Sequence, residues 1–220
     1  MSLQPQFISL RNASGKVGLL VGSGRASFRL GEALRKRGII PFPLLLSDVI
    51  PFDLRVVIAS EEFEKKIVGC KIVVWIEGSC PEDIVDRVMY LLYGENDSAE
   101  AIIGVDPGKE IGVAVVADGR ILRTDVFESV GEATEGVLRQ VSILPYSRKV
   151  VRVGSGGEEY SNGIMSALKL LLPSGVEIQE VEEWGTSRDA LCVNHSRRAR
   201  NAASAATIAL RQGKPVPRGV

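Results

Sequence analysis

The sequence lacks the features that mark membrane proteins, secreted proteins and metal-thiolate proteins. It has no run of about eighteen apolar residues, so no membrane-spanning helix is expected. No basic-then-apolar leader with a small-residue cleavage site is found. The three cysteines are odd in number, widely spaced and without a CxxC pattern, and there is a single histidine. A disulfide framework or a zinc site is therefore not expected, and a cytoplasmic protein fits this composition best.

Net charge is also absent, because 27 basic residues balance 27 acidic ones. Bulk electrostatics therefore do not indicate a nucleic-acid partner. From residue 188 onward, however, one acid (Asp189) stands against seven basic residues. This segment either contacts phosphates or consists of solvated helix flanks and a free end, and charge alone leaves both open. The basic residues are Arg188, Arg197, Arg198, Arg200, Arg211, Lys214 and Arg218.

Hydrophobic periodicity divides the chain into two α/β halves. Over residues 1–95 short apolar strands, among them Ile39–Leu46, alternate with helical patterns. This predicts a small parallel α/β domain of the Rossmann or flavodoxin-like kind. Gly94–Ser98 replaces periodicity with turn formers and charge, which predicts a linker. The loop Gly22-Ser23-Gly24 after the first strand is either a nucleotide-phosphate loop without a full GxGxxG pattern, or a tight turn capped by a serine.

The second half has a different pattern, over residues 100–212. Ala101–Val105, Ile111–Ala117 and Arg120–Phe127 are strands joined by tight turns, so they predict an antiparallel meander. Helices and strands then alternate as far as a helix over Arg197–Arg211 that is rich in small residues. The order βββαβαβα predicts a mixed α/β sheet with an antiparallel edge. Residues 213–220 are expected to form a flexible tail.

The most informative stretch follows the first strand of this half. The strand delivers Asp106 to its C-terminal end, and a Pro-Gly turn reverses the chain at once. Gly108 permits a positive φ and keeps bulk away from the carboxylate, and Gly112 lets the returning strand lie close. A hydrated cation and a phosphate could therefore both reach Asp106. The alternative is an ordinary hairpin-turn aspartate.

Other segments of this half supply partners for Asp106. The loop Gly154-Ser155-Gly156 before a helix offers backbone amides that suit a phosphate oxygen. A later strand ends in Glu182-Glu183, of which only one side chain can face Asp106, because neighbours in a strand point to opposite sides. Asn201 lies on the slim face of the last helix, either over the strand ends or as a helix cap.

Taken in order, these pieces resemble the YqgF group of RuvC-like Holliday-junction resolvase homologues, within the RNase H-like superfamily. The resemblance covers about residues 101–212. It rests on the Val105–Gly108 hairpin, the Gly-rich loop, the stretch Glu182–Ser187 and the terminal Ala-Ala helix. It implies a five-stranded sheet flanked by helices, and acidic side chains that hold Mg²⁺ or Mn²⁺ for phosphodiester hydrolysis.

The resemblance also implies roles for individual residues. Asp106 is the central metal ligand, and Glu183, or otherwise Glu182, is the second acid. The family's third acid lies where this chain has Asn201, whose neutral oxygen weakens binding of a second ion. Asp189 and His195 are nearby in sequence as substitutes. The expected substrate-binding residues are Gly108, Lys109, Gly154, Ser155, Gly156, Arg197, Arg198 and Arg200.

Three functions remain open. The first is a metal-dependent endonuclease acting on branched DNA or structured RNA, either as a homodimer, like the RuvC-like enzymes, or as a monomer. The second is a catalytically impaired relative that keeps the fold and binds nucleic acid or protein. The third is a nucleotide-binding ATPase-like domain, since strand-Asp-x-Gly hairpins also hold phosphate in ATPases of the actin type. This third reading ranks last because the second half is too short to build the two domains such a cleft needs.

Overall fold

The computed structural model describes residues 6–7, 16–93, 100–156, 158–182 and 197–217, and for Gln6, Phe7, Glu158 and Arg198 it describes the backbone only. The chain forms two compact units, Ser9–Glu95 and Asn96–Val220 together with Met1–Ile8. The predicted linker Gly94–Ser98 lies outside the described residues. No helix in the described part of the chain is long and apolar enough to cross a membrane.

The smaller unit is a four-stranded, fully parallel sheet with two helices, which confirms the fold class predicted for the first half. Its strands lie side by side in the order Phe42–Pro43, Val17–Leu20, Val56–Ser60 and Lys71–Trp75. Its buried core joins the central strands to both helices. Its elements are β2 (Val17–Leu20), α1 (Gly24–Lys36), β3 (Phe42–Pro43), β4 (Val56–Ser60), a 3-10 helix (Glu61–Lys66), β5 (Lys71–Trp75) and α2 (Pro81–Tyr93).

The loop before α1 is occupied by contacts within the fold. The Ser23 hydroxyl accepts a hydrogen bond from the Ala26 amide at 3.3 Å and caps α1, and the Gly22 amide donates to the Ser60 hydroxyl at 3.2 Å. Of the two readings of this loop, the structure supports the capped turn.

The strand predicted over Ile39–Leu46 is wrong in extent, because only Phe42–Pro43 pairs with β2. Pro41 and Pro43 lack the amide hydrogens that a longer ladder requires, so β3 remains a short edge strand.

A partly buried ion pair joins the two helices of this unit. The Arg37 guanidinium contacts the carboxylate of Asp86, whose side chain is 1% exposed.

The larger unit is built on a seven-stranded mixed sheet. Its elements are β1 (Gln6–Phe7), β6 (Glu100–Asp106), β7 (Ile111–Ala117), β8 (Arg120–Phe127), α3 (Val130–Ile143), β9 (Arg148–Gly154), α4 (Glu158–Leu171), β10 (Val176–Val181), α5 (Arg197–Leu210) and β11 (Lys214–Pro215). The strands lie in the order β1-β8-β7-β6-β9-β10-β11. β6, β7 and β8 form the predicted antiparallel meander, and β9 and β10 run parallel to β6, so the predicted order βββαβαβα is confirmed.

Two short edge strands extend this sheet beyond the sequence prediction. Gln6–Phe7 pairs in parallel with the start of β8. Lys214–Pro215 pairs antiparallel with Gln179 and Glu180, at a place where a flexible tail was expected. The backbone groups of β10 gain partners on both sides in this way, which explains why the chain stays ordered past α5.

Helix α5 covers one face of the sheet. Ala205, Ala206 and Ala209 form a buried cluster with side chains of β6, β7 and β8. The residues that alternate with these along β6, Ile103 and Val105, are fully buried on the other face, where α3 and α4 pack.

Candidate functional site

Two glycines bring α5 unusually close to the central strands. A Cβ on Gly104 of β6 would overlap the Ala205 carbonyl oxygen and lie 2.6 Å from the Ala209 amide nitrogen. A Cβ on Gly112 of β7 would overlap the Asn201 carbonyl oxygen and lie 2.8 Å from its carbonyl carbon. The helix backbone therefore rests directly on the sheet backbone, which fixes the height of α5 above the strand ends.

Asp106 lies on the face of the sheet that α5 covers. It is the last residue of β6, two residues beyond Gly104, and side chains two apart along a strand share a face. Its register partner is Gly112, the residue that contacts the Asn201 backbone. Asp106 is partly exposed, and its backbone is held in the sheet by pairing with Gly112.

Glu110 joins this edge of the sheet through contacts with α5. The Asn201 side-chain nitrogen donates to Glu110 Oε2 at 3.0 Å, and Arg197 Nε lies 3.4 Å from the same oxygen. Arg197, Asn201, Ala205 and Ala209 are four residues apart, so they form one row along the helix. Sequence reasoning missed Glu110, although its spacing of two from Gly112 was a usable signal for the α5 face.

Glu182, one of the two acids that follow β10, does not share the face of the sheet on which Asp106 lies. Gln179 faces α5, because it accepts a hydrogen bond from Arg152, which also donates to the Ala209 carbonyl at 2.6 Å. Glu182 is three residues further and therefore points to the opposite face. There its carboxylate contacts Lys214 Nζ at 2.6 Å. The structure thus does not bring Glu182 to Asp106, and Glu183 lies outside the described residues.

The glycine-rich loop after β9 reaches the same edge. Its backbone amides were expected to be available to a phosphate oxygen, but contacts within the fold engage this loop. The Ser155 amide donates to the Val181 carbonyl at 2.9 Å, because the β9–β10 ladder continues one residue past Gly154. The Gly154 carbonyl accepts from the Ser161 hydroxyl at 3.0 Å, and Gly156 also has an interaction partner. This loop is therefore held by the fold, and a phosphate would have to compete with its internal bonds.

The hairpin between β6 and β7 differs from expectation in one detail. Gly108 does not adopt a positive φ, and a Cβ there would lie 3.4 Å from the Glu110 carbonyl oxygen. Lys109 at the hairpin tip is exposed.

Three basic side chains are thus exposed at or near this edge: Lys109, Arg197 and Arg200. For Arg198 only the backbone is described, while Asp189 and His195 lie outside the described residues. The exposed cations suit a polyanionic ligand.

Arg152 anchors the C-terminal end of α5 to the sheet. Burial lowers the pKa of its guanidinium, while the nearby carboxylates of Glu100 and Glu177 oppose this shift. Its hydrogen bond to the Ala209 carbonyl satisfies an acceptor in the last turn of the helix, where no further turn of helix supplies a donor. The side of α5 that contacts Gly112 through Asn201 is therefore also anchored at Ala209, near the end of the helix.

The donors described at this edge are the oxygens of Asp106, Asn201 and Glu110. Hard cations such as Mg²⁺ and Mn²⁺ take such ligands, so the donor chemistry fits the ion that the resemblance implies. Within the described ranges, no group of three or more His, Cys, Asp or Glu side chains could hold a metal ion. A site with three acidic ligands would thus need a residue beyond those ranges, and Glu183, which follows Glu182 in the sequence, is the candidate.

No protein-family model matches this chain. No curated protein matches it either. Among solved structures, it is similar to RuvC of Thermus thermophilus, at 16% identity over 53% of this chain and 99% of that one, with a TM-score of 0.37.

Two Argonaute structures also match. Aa-Ago with externally bound siRNA is 10% identical over 78% of this chain and 36% of that one, with a TM-score of 0.27. Marinitoga piezophila Argonaute, in complex with 5′-OH guide RNA and target DNA, is 10% identical over 77% and 38%, with a TM-score of 0.21. All three TM-scores are too low to assign a family, so the YqgF resemblance stays a prediction, and any function has to be argued from the edge formed by β6, β7 and α5.

Proposed function

We propose that the larger unit is a metal-dependent nuclease of the RNase H-like type, which hydrolyses phosphodiesters in branched DNA or structured RNA. One observation carries the proposal: Asp106 ends the central strand on the face where α5 meets the sheet. Gly112, opposite Asp106, leaves no side chain between the two strands and the helix. A partly exposed carboxylate at the end of a buried strand is held in place by the fold, which preorganises it for charge-stabilising chemistry.

The metal-binding residues in this proposal are Asp106, the Asn201 side-chain oxygen and Glu183. A bound Mg²⁺ or Mn²⁺ lowers the pKa of an attacking water and neutralises charge on the leaving oxygen. Asp106 supplies negative charge from a backbone fixed by two neighbouring strands. Asn201 donates through its nitrogen to Glu110, which directs its oxygen away from that carboxylate.

The exposed cations at this edge serve the substrate. Arg197 and Arg200 are three residues apart and share one side of α5, and Lys109 extends from the hairpin tip. Such cations hold phosphates without reading base sequence, so affinity falls steeply as salt rises. This pattern suits recognition of nucleic acid by shape. A homodimer would present two such edges to a two-fold symmetric junction.

A second function is favoured by a specific observation. α5 carries no acidic residue, and Glu182 is engaged by Lys214 on the opposite face of the sheet. With so few carboxylates at this edge, the protein would bind nucleic acid through the same cations without hydrolysing it. The ATPase-like alternative has no comparable support, because the strands described from residue 100 onward all join one sheet, whereas the cleft of such ATPases needs two domains.

The test is cleavage of a four-way DNA junction and of a structured RNA by the full chain, with Mg²⁺ and with Mn²⁺. The nuclease proposal expects metal-dependent products that Asp106→Asn abolishes, while Glu135→Gln, an exposed acid on α3, leaves them unchanged. Salt-sensitive binding without products under either metal would replace it with the binding function. Products that persist in Asp106→Asn would refute the assignment of Asp106.

A further inference from the structure

Glu110 is the one carboxylate that the structure shows in direct contact with Asn201. It precedes β7 by one residue, and its side chain is 30% exposed. The Asn201 nitrogen reaches both its Oε2, at 3.0 Å, and its backbone oxygen, at 3.5 Å. Two contacts from one amide fix the hairpin end against α5 and set the direction of the Glu110 side chain.

Contacts with Asn201 place Glu110 on the same side of the sheet as Asp106. The Asn201 carbonyl oxygen lies against Gly112, the register partner of Asp106, and the Asn201 side-chain nitrogen reaches Glu110 Oε2 at 3.0 Å. Glu110 itself lies in the turn between Asp106 and Gly112, one residue before β7 begins. A glutamate side chain is long enough to turn its carboxylate toward a neighbour on the same side of such a turn.

The described contacts of the Glu110 carboxylate end on a single oxygen. The Asn201 hydrogen bond and the Arg197 ion pair both reach Oε2, so with respect to these two residues Oε1 is available to a cation. The ion pair itself is a weak competitor, because the Arg197 side chain is 59% exposed and lies 3.4 Å away. Exposed ion pairs contribute little and are screened by salt, so a divalent cation can displace Arg197.

We propose that Glu110 is a ligand of the divalent cation bound by Asp106, and that Asn201 is the positioning residue that orients it. The hairpin then supplies the carboxylate that α5 lacks. The Asn201 side-chain amide holds that carboxylate in place, so Asn201 does not have to replace the missing acid by itself. This inference rests on the proposed function, since it assumes a cation at Asp106.

The experiment is titration of the full chain with Mn²⁺, with free Mn²⁺ followed by electron paramagnetic resonance, so that no cleavage is needed. The variants are Asp106→Asn, Glu110→Gln, Asn201→Asp and the double variant Glu110→Gln/Asn201→Asp, which moves the carboxylate from the hairpin to the helix. Glu135→Gln is the matched control. Thermal unfolding without metal shows whether each variant is folded.

Glu110→Gln is expected to weaken Mn²⁺ binding about tenfold or more, since one charged ligand is lost. The double variant is expected to recover most of that affinity, which a merely structural role of Glu110 would not produce. If Glu110→Gln binds like the wild type while Asp106→Asn does not bind, this inference is wrong and the proposed function stands. If Asp106→Asn binds as well as the wild type, or the wild type shows no saturable binding, the proposed metal site is wrong as well.

Should Glu110→Gln fail to fold, Glu110→Asp gives the same test. It keeps the charge but shortens the side chain by one carbon, so it should weaken Mn²⁺ binding. Unchanged affinity in a folded Glu110→Asp would contradict the inference.

Discussion

The contact between α5 and β6 makes Gly104→Ala the sharpest test of this fold. The added Cβ would lie 2.6 Å from the Ala209 amide nitrogen and 2.8 Å from the Ala209 Cβ, and would overlap the Ala205 carbonyl oxygen. Nonbonded atoms prefer separations of about 3.5–4.0 Å, so the helix must move by roughly 1 Å. Two of the three atoms belong to backbone, so no side-chain rotation can relieve the overlap.

Overpacking of this kind typically costs about 1–3 kcal/mol, and a backbone clash belongs at the upper end. The movement also strains the hydrogen bond from Arg152 to the Ala209 carbonyl. A loss of about 3 kcal/mol lowers the Tm of a unit of this size by roughly 10 °C. The measurement is thermal unfolding of the full chain, with hydrogen exchange of the α5 amides to locate the loss.

The matched control is Gly163→Ala in α4. A Cβ there meets its nearest neighbour, a Val130 methyl, at 3.6 Å, an ordinary contact. Alanine in a helix interior gains about 0.5–1 kcal/mol over glycine, so this variant should be more stable than the wild type. If Gly104→Ala proves as stable as Gly163→Ala, α5 does not rest on β6 in the way described.

Three further predictions concern single side chains. Arg37→Met should lower the free energy of unfolding in urea by about 3 kcal/mol, because it removes the cation beside the buried Asp86 carboxylate. Asp86→Asn should cost less, since the partly exposed Arg37 side chain can turn to solvent, and equal costs would contradict this. Burial raises the pKa of Tyr146 to about 12 from 10.0, so the unfolded chain ionises first and stability falls as pH rises from 10 to 12. Tyr146→Phe should flatten that part of the pH profile of the free energy of unfolding, and an unchanged slope would count against it. Arg197→Ala frees Glu110 from its ion pair, so Mn²⁺ should bind more tightly at low salt and equally at high salt, which calorimetry at two salt concentrations checks.

Hydrophobic periodicity was enough to predict the order of elements in the larger unit. The runs Ala101–Val105 and Ile111–Ala117 are apolar throughout and bounded by turn residues, so few other arrangements can bury them. The two edge strands Gln6–Phe7 and Lys214–Pro215 carry no such signal. With two residues each, they show no alternation, and only the presence of an open sheet edge makes them strands.

The candidate site was predictable in part. Asp106 and Asn201 could be placed from the strand end and from the slim helix, because both follow from one-dimensional patterns. The Glu110 contact could not, since it depends on how close Gly112 lets α5 approach. The sequence left Glu182 as the alternative to Glu183, because alternation fixes that neighbours face opposite sides but not which of them faces the helix. The contact of Glu182 with Lys214 places Glu182 away from α5.

The pairing of β1 with β8 has a consequence for biosynthesis. Gln6–Phe7 is made before its partner Arg120–Ile121, and all of Ser9–Glu95 is made between the two. The smaller unit is therefore an insertion within the larger one, and it can fold before the β8 partner of β1 has been made. The β1–β8 pairing then joins two segments that are far apart in synthesis, and a chain in which β1 is not yet docked would expose the β8 edge to other strands.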